Sequence, residues 1–162
     1  MDKHLIDLAS ELGELLMEKS WTLTTAESCT SGWVGSALAA ASDSSRFYSS
    51  GFITYTNQAK QRVLGVKADT LARYTAVSEE TASEMACGAK KLAGDTIGLA
   101  TSGYAGPDGG EDGTPAGTVW FAWCLPDDSV HTRREWFSGE SEEVVYKATC
   151  FSLSELKRLL SQ

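Results

Sequence analysis

Two histidines, His4 and His131, are all that this 162-residue chain offers to imidazole chemistry. A Ser-His-Asp triad is therefore unattractive, and other nucleophile–base pairs come first. Ser28, Cys29, Thr30 and Ser31 stand together just ahead of a small-residue run at 33–41. If a helix begins there, its free N–H groups and positive dipole end could stabilise an oxyanion or hold a phosphate. Plain N-capping by the same hydroxyl residues is the ordinary alternative.

A second group, Tyr55, Asn57 and Lys60, follows 27 to 32 positions later. A lysine is normally a solvated surface charge. Desolvated in a pocket, it loses its proton more easily and can activate a serine as a general base. Spacing alone favours the solvated reading of Lys60. The third group is Gly103-Tyr104-Ala105-Gly106-Pro107-Asp108-Gly109-Gly110. Its glycines let backbone approach a ligand closely, although a surface loop has the same composition. No GxxxxGK[ST] motif occurs, and the acids lack the spacing of an EF-hand.

Isolated histidines without acidic or thiol partners make no zinc site, so no metal is expected, and no cofactor. His131 stands near Asp128, but a solvated or structural role is its ordinary reading. Cys29, Cys87, Cys124 and Cys150 form no CxxC pair and read as reduced thiols. A net charge of −8 disfavours nucleic acid and anionic membrane surfaces as partners. No apolar run is long enough to span a bilayer, and the first residues lack a signal-peptide layout, so the expected location is cytoplasmic.

The elements that must position these residues are legible from periodicity. Leu5, Leu8, Ala9, Leu12, Leu15 and Leu16 mark one face of a first helix. Strands are expected at 22–26, 51–55 and 97–101, and an antiparallel pair at 118–125 and 130–137. Helices are expected at 33–41, from the 56–60 turn to a Gly65 cap, at 69–74, from a Ser78 cap to Gly94, and at 140–160. Strand–helix alternation argues a single domain over 1–162: a three-layer α/β/α sandwich on a mixed, largely parallel sheet. If the first three strands are parallel, the loops at 27–32, 56–60 and 102–117 lie on one edge, where such sheets bind ligands. Trp33, just inside the second helix, could border that pocket. Most of the five tryptophans read as core or sheet-face residues.

The motifs together resemble the CinA C-terminal domain family. Thr25-Ala26-Glu27-Ser28-Cys29-Thr30 is similar to that family's TAESCT signature, and Gly51-Phe52-Ile53-Thr54-Tyr55-Thr56-Asn57-Gln58-Ala59-Lys60 to its second motif. Leu64-Gly65-Val66, Ala76-Val77-Ser78-Glu79-Glu80, the 103–110 loop and Pro115-Ala116-Gly117-Thr118-Val119 follow in order. The resemblance implies hydrolysis of the carboxamide of nicotinamide mononucleotide, without metal or cofactor, in pyridine nucleotide recycling. It implies Ser28 as nucleophile, Lys60 as its base and Tyr55 assisting. Thr30, Ser31, Gly32, Asn57, Gly103, Ala105 and Gly106 would shape the substrate and oxyanion sites. Cys29 is the rival nucleophile, but lacks an evident activating base.

Three features depart from the family pattern. Ser31 stands where a glycine is usual, and Tyr104 where an aliphatic residue is usual. The arginines expected near the start of the last helix are replaced by Ser141, Val145 and Tyr146, with Lys147 the nearby cation. If those arginines hold a phosphate, bidentate donors are lost. The alternative expectation is thus a paralogue that binds or acts on another small ligand, or serves as an interaction protein. Acidic α/β domains of this size often self-associate, a dimer being the first closed assembly to expect.

Overall fold

The first helix, α1 (Lys3–Glu18), starts where Asp2 accepts a hydrogen bond from Leu5 N at 2.9 Å, and it buries Leu5, Ala9, Leu12 and Leu16 along one stripe. The computed structural model describes all residues, 1–162. After α1 come β1 (Leu23–Glu27), α2 (Trp33–Ala39), a 3-10 turn (Ser44–Arg46) and β2 (Tyr48–Ile53). Three helices follow, α3 (Asn57–Leu64), α4 (Ala68–Tyr74) and α5 (Glu79–Ala93). The chain closes with β3 (Ile97–Gly103), β4 (Thr118–Cys124), β5 (Val130–Trp136) and α6 (Ser141–Leu160).

The sheet runs β2-β1-β3-β4-β5. β1 pairs in parallel with both β2 and β3, while β3–β4 and β4–β5 are antiparallel. The chain therefore leaves β1 toward one edge and returns past it to β3 on the other side. Right-handed crossovers in opposite directions put their helices on opposite faces. α2 accordingly joins α1 and α6 on one face, and α5 covers the other. The expected three-layer sandwich with a mixed sheet is what forms.

The two faces differ in residue size because a strand alternates its side chains. Leu23, Ile97, Leu99, Phe121 and Trp123 point into the larger core beneath α1, α2 and α6. Ala26, Ala100 and Ala122 point the other way, beneath Ala82, Met85, Ala86 and Ala89 of α5. α5 consequently lies very close to the sheet. A Cβ on Gly98 would stand 2.1 Å from Ala86 O, and one on Gly88 would stand 2.0 Å from Leu64 O at the end of α3. Glycine at these two positions lets α5 seat between β3 and α3.

Boundaries differ modestly from expectation. β2 begins at Tyr48 and ends at Ile53, so Tyr55 lies in the following loop rather than in the strand. α2 stops at Ala39, and β3 extends to Gly103. No helix is long and apolar enough to cross a membrane.

Candidate active site

β1 is the point at which the strand order reverses, and the carboxyl ends of its neighbours converge there, the usual ligand position in open α/β sheets. A cleft of about 260 Å³ opens at this edge. Its walls come from three places: Ser28 and Cys29 after β1, Tyr55 and Lys60 after β2, and residues 102–106 with Asp108 at the end of β3. Ala76 and Val77, ahead of α5, close it.

Ser28 is held at the tip of β1 by its N–H, which donates to Thr101 O at 3.1 Å. Lys60 sits in the first turn of α3. That helix is started by Thr56, whose hydroxyl accepts from Ala59 N at 3.1 Å. The lysine side chain turns inward and is only 1 % exposed. Its Nζ donates to Ser28 Oγ at 2.9 Å, to Thr54 O at 2.8 Å and to Tyr55 O at 3.3 Å. All three partners are uncharged. Burial, the main cause, brings the Lys60 pKa down from 10.5 to about 8. The solvated reading of Lys60 does not describe this side chain.

Cys29 also faces the cleft, but burial, then the Glu27 carboxylate, push its thiol up to about 12. A thiol held that firmly in its protonated form is a poor nucleophile at neutral pH. At the same point the amides of Cys29 and Thr30 have no backbone partner, and of the two residues Cys29 lines the cleft.

The start of α2 is used differently from either sequence reading. Gly32, its cap residue, offers no side chain, and Glu27 reaches in from β1 instead. Glu27 Oε1 accepts from Gly32 N at 3.1 Å and Val34 N at 3.0 Å, and Oε2 accepts from Gly35 N at 2.9 Å. Thr30 Oγ1 donates to Glu27 Oε1 at 2.6 Å and lies 2.8 Å from Thr101 Oγ1. An internal carboxylate thus takes the anion position at this helix end. Thr30 is fully buried, and neither Ser31, Gly32 nor Asn57 lines the cleft. Ser31 and Gly32 instead turn the chain through left-handed backbone, at φ of 41° and 102°.

Gly103, Ala105 and Gly106 do line it. At Gly103 a Cβ would stand 2.5 Å from Thr118 O, so only glycine lets β3 pair this far along β4. Tyr55 contributes its carbonyl to Lys60, while the residue as a whole is 68 % exposed at the rim. Trp33 lies outside the cleft, in a separate groove with Met1, Asp2 and Tyr146. His131 is also remote: its Nε2 lies 3.1 Å from Glu155 Oε2.

Three contributors carried no role in the sequence reading: Glu27, the Thr54 carbonyl and Ser102. An acid at a strand end, ahead of a helix whose cap position is glycine, was the available signal for Glu27. Nothing in a sequence marks which carbonyl will accept from a lysine. Ser102 Oγ donates to Ala76 O at 2.7 Å, joining two cleft walls across 26 residues of chain.

Side-chain charge at the cleft is sparse. Lys60 and Asp108 are the only charged residues that line it. Tyr104 is pushed up first by burial and then by the Asp112 and Glu111 carboxylates. Ser141, at the first position of α6, has its Oγ 3.5 Å from where a Gly106 Cβ would stand. It is bracketed by Glu140 and by Glu142 and Glu143.

Known proteins share both sequence and architecture with this chain. It is 49% identical over 154 residues to the Escherichia coli protein called YdeJ, covering 95% of this chain and 89% of that one. It is 44% identical over 155 residues to the nicotinamide-nucleotide amidohydrolase PncC of Escherichia coli, covering 96% and 94%. A crystal structure of the competence damage-inducible protein A from Klebsiella pneumoniae superposes with a TM-score of 0.96 at 47% identity, covering 98% of each chain. The family model of the CinA C-terminal domain matches residues 5–160. With the family model spanning residues 5–160 and relatives 44–49% identical over nearly the whole chain, the chain belongs to the CinA C-terminal domain family.

Proposed function

We propose that this protein hydrolyses the carboxamide of nicotinamide mononucleotide, with Ser28 as nucleophile and Lys60 as its base. The observation that carries this reading is the 2.9 Å contact between Ser28 Oγ and a buried Lys60 Nζ that has no carboxylate partner. The similarity to PncC supports the substrate.

Neutral Lys60 takes the Ser28 hydroxyl proton as Oγ attacks the carboxamide carbon. The tetrahedral oxyanion forms beside the free Cys29 amide, the residue after the nucleophile, where a backbone donor stabilises developing charge. Collapse breaks the C–N bond, and Lys60 returns the proton to the leaving nitrogen, which departs as ammonia. Water then attacks the acyl-serine ester, again giving a proton to Lys60, and nicotinate mononucleotide leaves as Ser28 Oγ is reprotonated. Lowering the lysine pKa from 10.5 to about 8 raises its neutral fraction at neutral pH about 300-fold.

The test is ammonia release from the mononucleotide by wild type, Ser28→Ala and Lys60→Ala, each with and without chelator. The expected result is turnover by wild type alone, indifferent to chelator. Turnover that survives Ser28→Ala overturns the mechanism. No turnover by folded wild type overturns the substrate assignment.

One observation favours a second reading, that this chain acts on a carboxamide lacking the phosphate. No arginine lines the cleft, its one lysine is committed to Ser28, its other charged lining residue is the acid Asp108, and Glu111 and Asp112 act on Tyr104 of its wall. A phosphate there lacks charge-assisted partners, each worth about 1.5–3 kcal/mol. A pyridinium nucleoside carries a positive charge only. On this reading kcat/KM for nicotinamide riboside exceeds that for the mononucleotide; a clear preference for the nucleotide sinks it.

A further inference from the structure

Away from the cleft, the fold joins two cysteines that the sequence keeps 37 positions apart. Cys87 lies on α5 and Cys124 ends β4, and their Sγ atoms are 3.3 Å apart. Both are free thiols. Both border a groove shared with Lys90 and Asp128, but Cys124 is only 2 % exposed, whereas Cys87 is half-buried. Lys90 Nζ bridges Leu125 O at 2.7 Å and Asp128 Oδ1 at 2.6 Å, which keeps a cation beside the pair. Neither cysteine touches the catalytic cleft or takes part in the chemistry proposed above.

We propose that Cys87 and Cys124 form a peroxide-sensitive dithiol that closes reversibly to an intramolecular disulfide between α5 and β4. A disulfide needs its sulfurs at about 2.05 Å, so the pair must close by roughly 1.3 Å, within reach of side-chain rotation. The chemistry is assigned by access. Burial and the neighbouring Cys87 hold the Cys124 thiol in its protonated form, so the more exposed Cys87 meets the oxidant. The Cys87 thiolate attacks one peroxide oxygen. The O–O bond breaks, Cys87 becomes a sulfenic acid, and the second oxygen leaves as water after protonation. Cys124 then attacks Cys87 Sγ as its proton is lost; the S–S bond forms and the sulfenic oxygen departs as a second water. The two sulfurs give up two electrons and the peroxide receives them. The ring so closed contains β3 and the whole loop at 103–117, which supplies one wall of the cleft.

The experiment treats the folded protein with hydrogen peroxide, then unfolds and alkylates it. The expected product is a monomer that has lost two of its four free thiols and two hydrogen atoms of mass, with a peptide pair bridging Cys87 to Cys124. A thiol reductant restores four alkylation sites. Cys87→Ser abolishes the loss, and Cys29→Ser and Cys150→Ser leave it in place. Because the bridge is read by peptide mapping in wild type, a Cys124→Ser variant that folds poorly does not weaken the test. Alkylation of both Cys87 and Cys124 after oxidation, a bridge to Cys29 or Cys150 instead, or a two-thiol loss that survives Cys87→Ser overturns the proposal.

Discussion

Lys60 is where this protein departs most from what a residue type ordinarily does. It is buried among two carbonyls and a hydroxyl, and nothing charged compensates its ammonium. The cost of burying that charge is what makes the neutral amine accessible. If Lys60 is the base, kcat/KM rises with pH and levels off above about 8, because the neutral form must be populated before Ser28 can lose its proton. Two units below that pKa the rate falls about 100-fold from its plateau. An initial-rate profile between pH 6 and 9.5 checks this; a flat profile there removes Lys60 from the proton transfer. Cys29 as nucleophile would place the limb near 12 instead. Glu27 shows the complementary case, a carboxylate whose local role is structural. By filling the start of α2 it occupies the Gly32, Val34 and Gly35 amides that an outside anion would otherwise use.

At the scale of elements, the Ser28–Lys60 distance depends on how α3 seats against α5. Gly88 is the contact point, with backbone of Leu64 where its Cβ would be. Gly88→Ala forces the two helices apart and costs about 1–3 kcal/mol of stability, as overpacking does. It also moves the helix that carries Lys60, and a misplacement of about 1 Å can cost 100-fold in rate. Gly94→Ala is the control. Its Cβ would meet nothing, so only the left-handed backbone (φ 72°) is strained, at about 1 kcal/mol. Urea midpoints and kcat on folded protein should therefore separate the two: both variants lose stability, and only Gly88→Ala loses kcat. Equal kcat for the two would mean that α3 does not set the base. Most elements were legible in the sequence because their apolar periods are strong: α1 from its leucine stripe, α5 from Ser78 and Gly94, the β4–β5 hairpin from its turn. β2 begins three residues ahead of the expected strand because Tyr48-Ser49-Ser50 lacks an apolar alternation at an edge strand. Candidate residues were legible as motifs, but their contacts were not. Ser28 and Lys60 are 32 residues apart, Cys87 and Cys124 37, and only the crossovers on either side of β1 and the close seating of α5 bring each pair together.

For the molecule as a whole, the buried lysine proposed as the base also bears on stability. Below about pH 8 Lys60 is protonated in both the folded and the unfolded chain, and the folded state bears the full cost of its burial. Between about 8 and 10.5 the unfolded chain holds a proton that the folded one has released. Stability therefore rises with pH across that window, and this contribution is complete above 10.5. Other groups titrate there too, tyrosines and cysteines among them, so the useful quantity is a difference. Lys60→Met keeps most of the volume and carries no charge. Relative to wild type, Lys60→Met should be the more stable protein near pH 7, and its advantage should shrink steadily from pH 8 to 10.5. Matched urea unfolding of the two proteins at half-unit intervals measures this. A constant difference over the range would mean that Lys60 titrates at its ordinary value in the folded state, and the base assigned to Ser28 would have to be sought elsewhere. A shrinking difference, together with lost turnover in Lys60→Met, would show that the fold gives up stability at neutral pH in return for a lysine able to take a proton, a trade-off common at active sites.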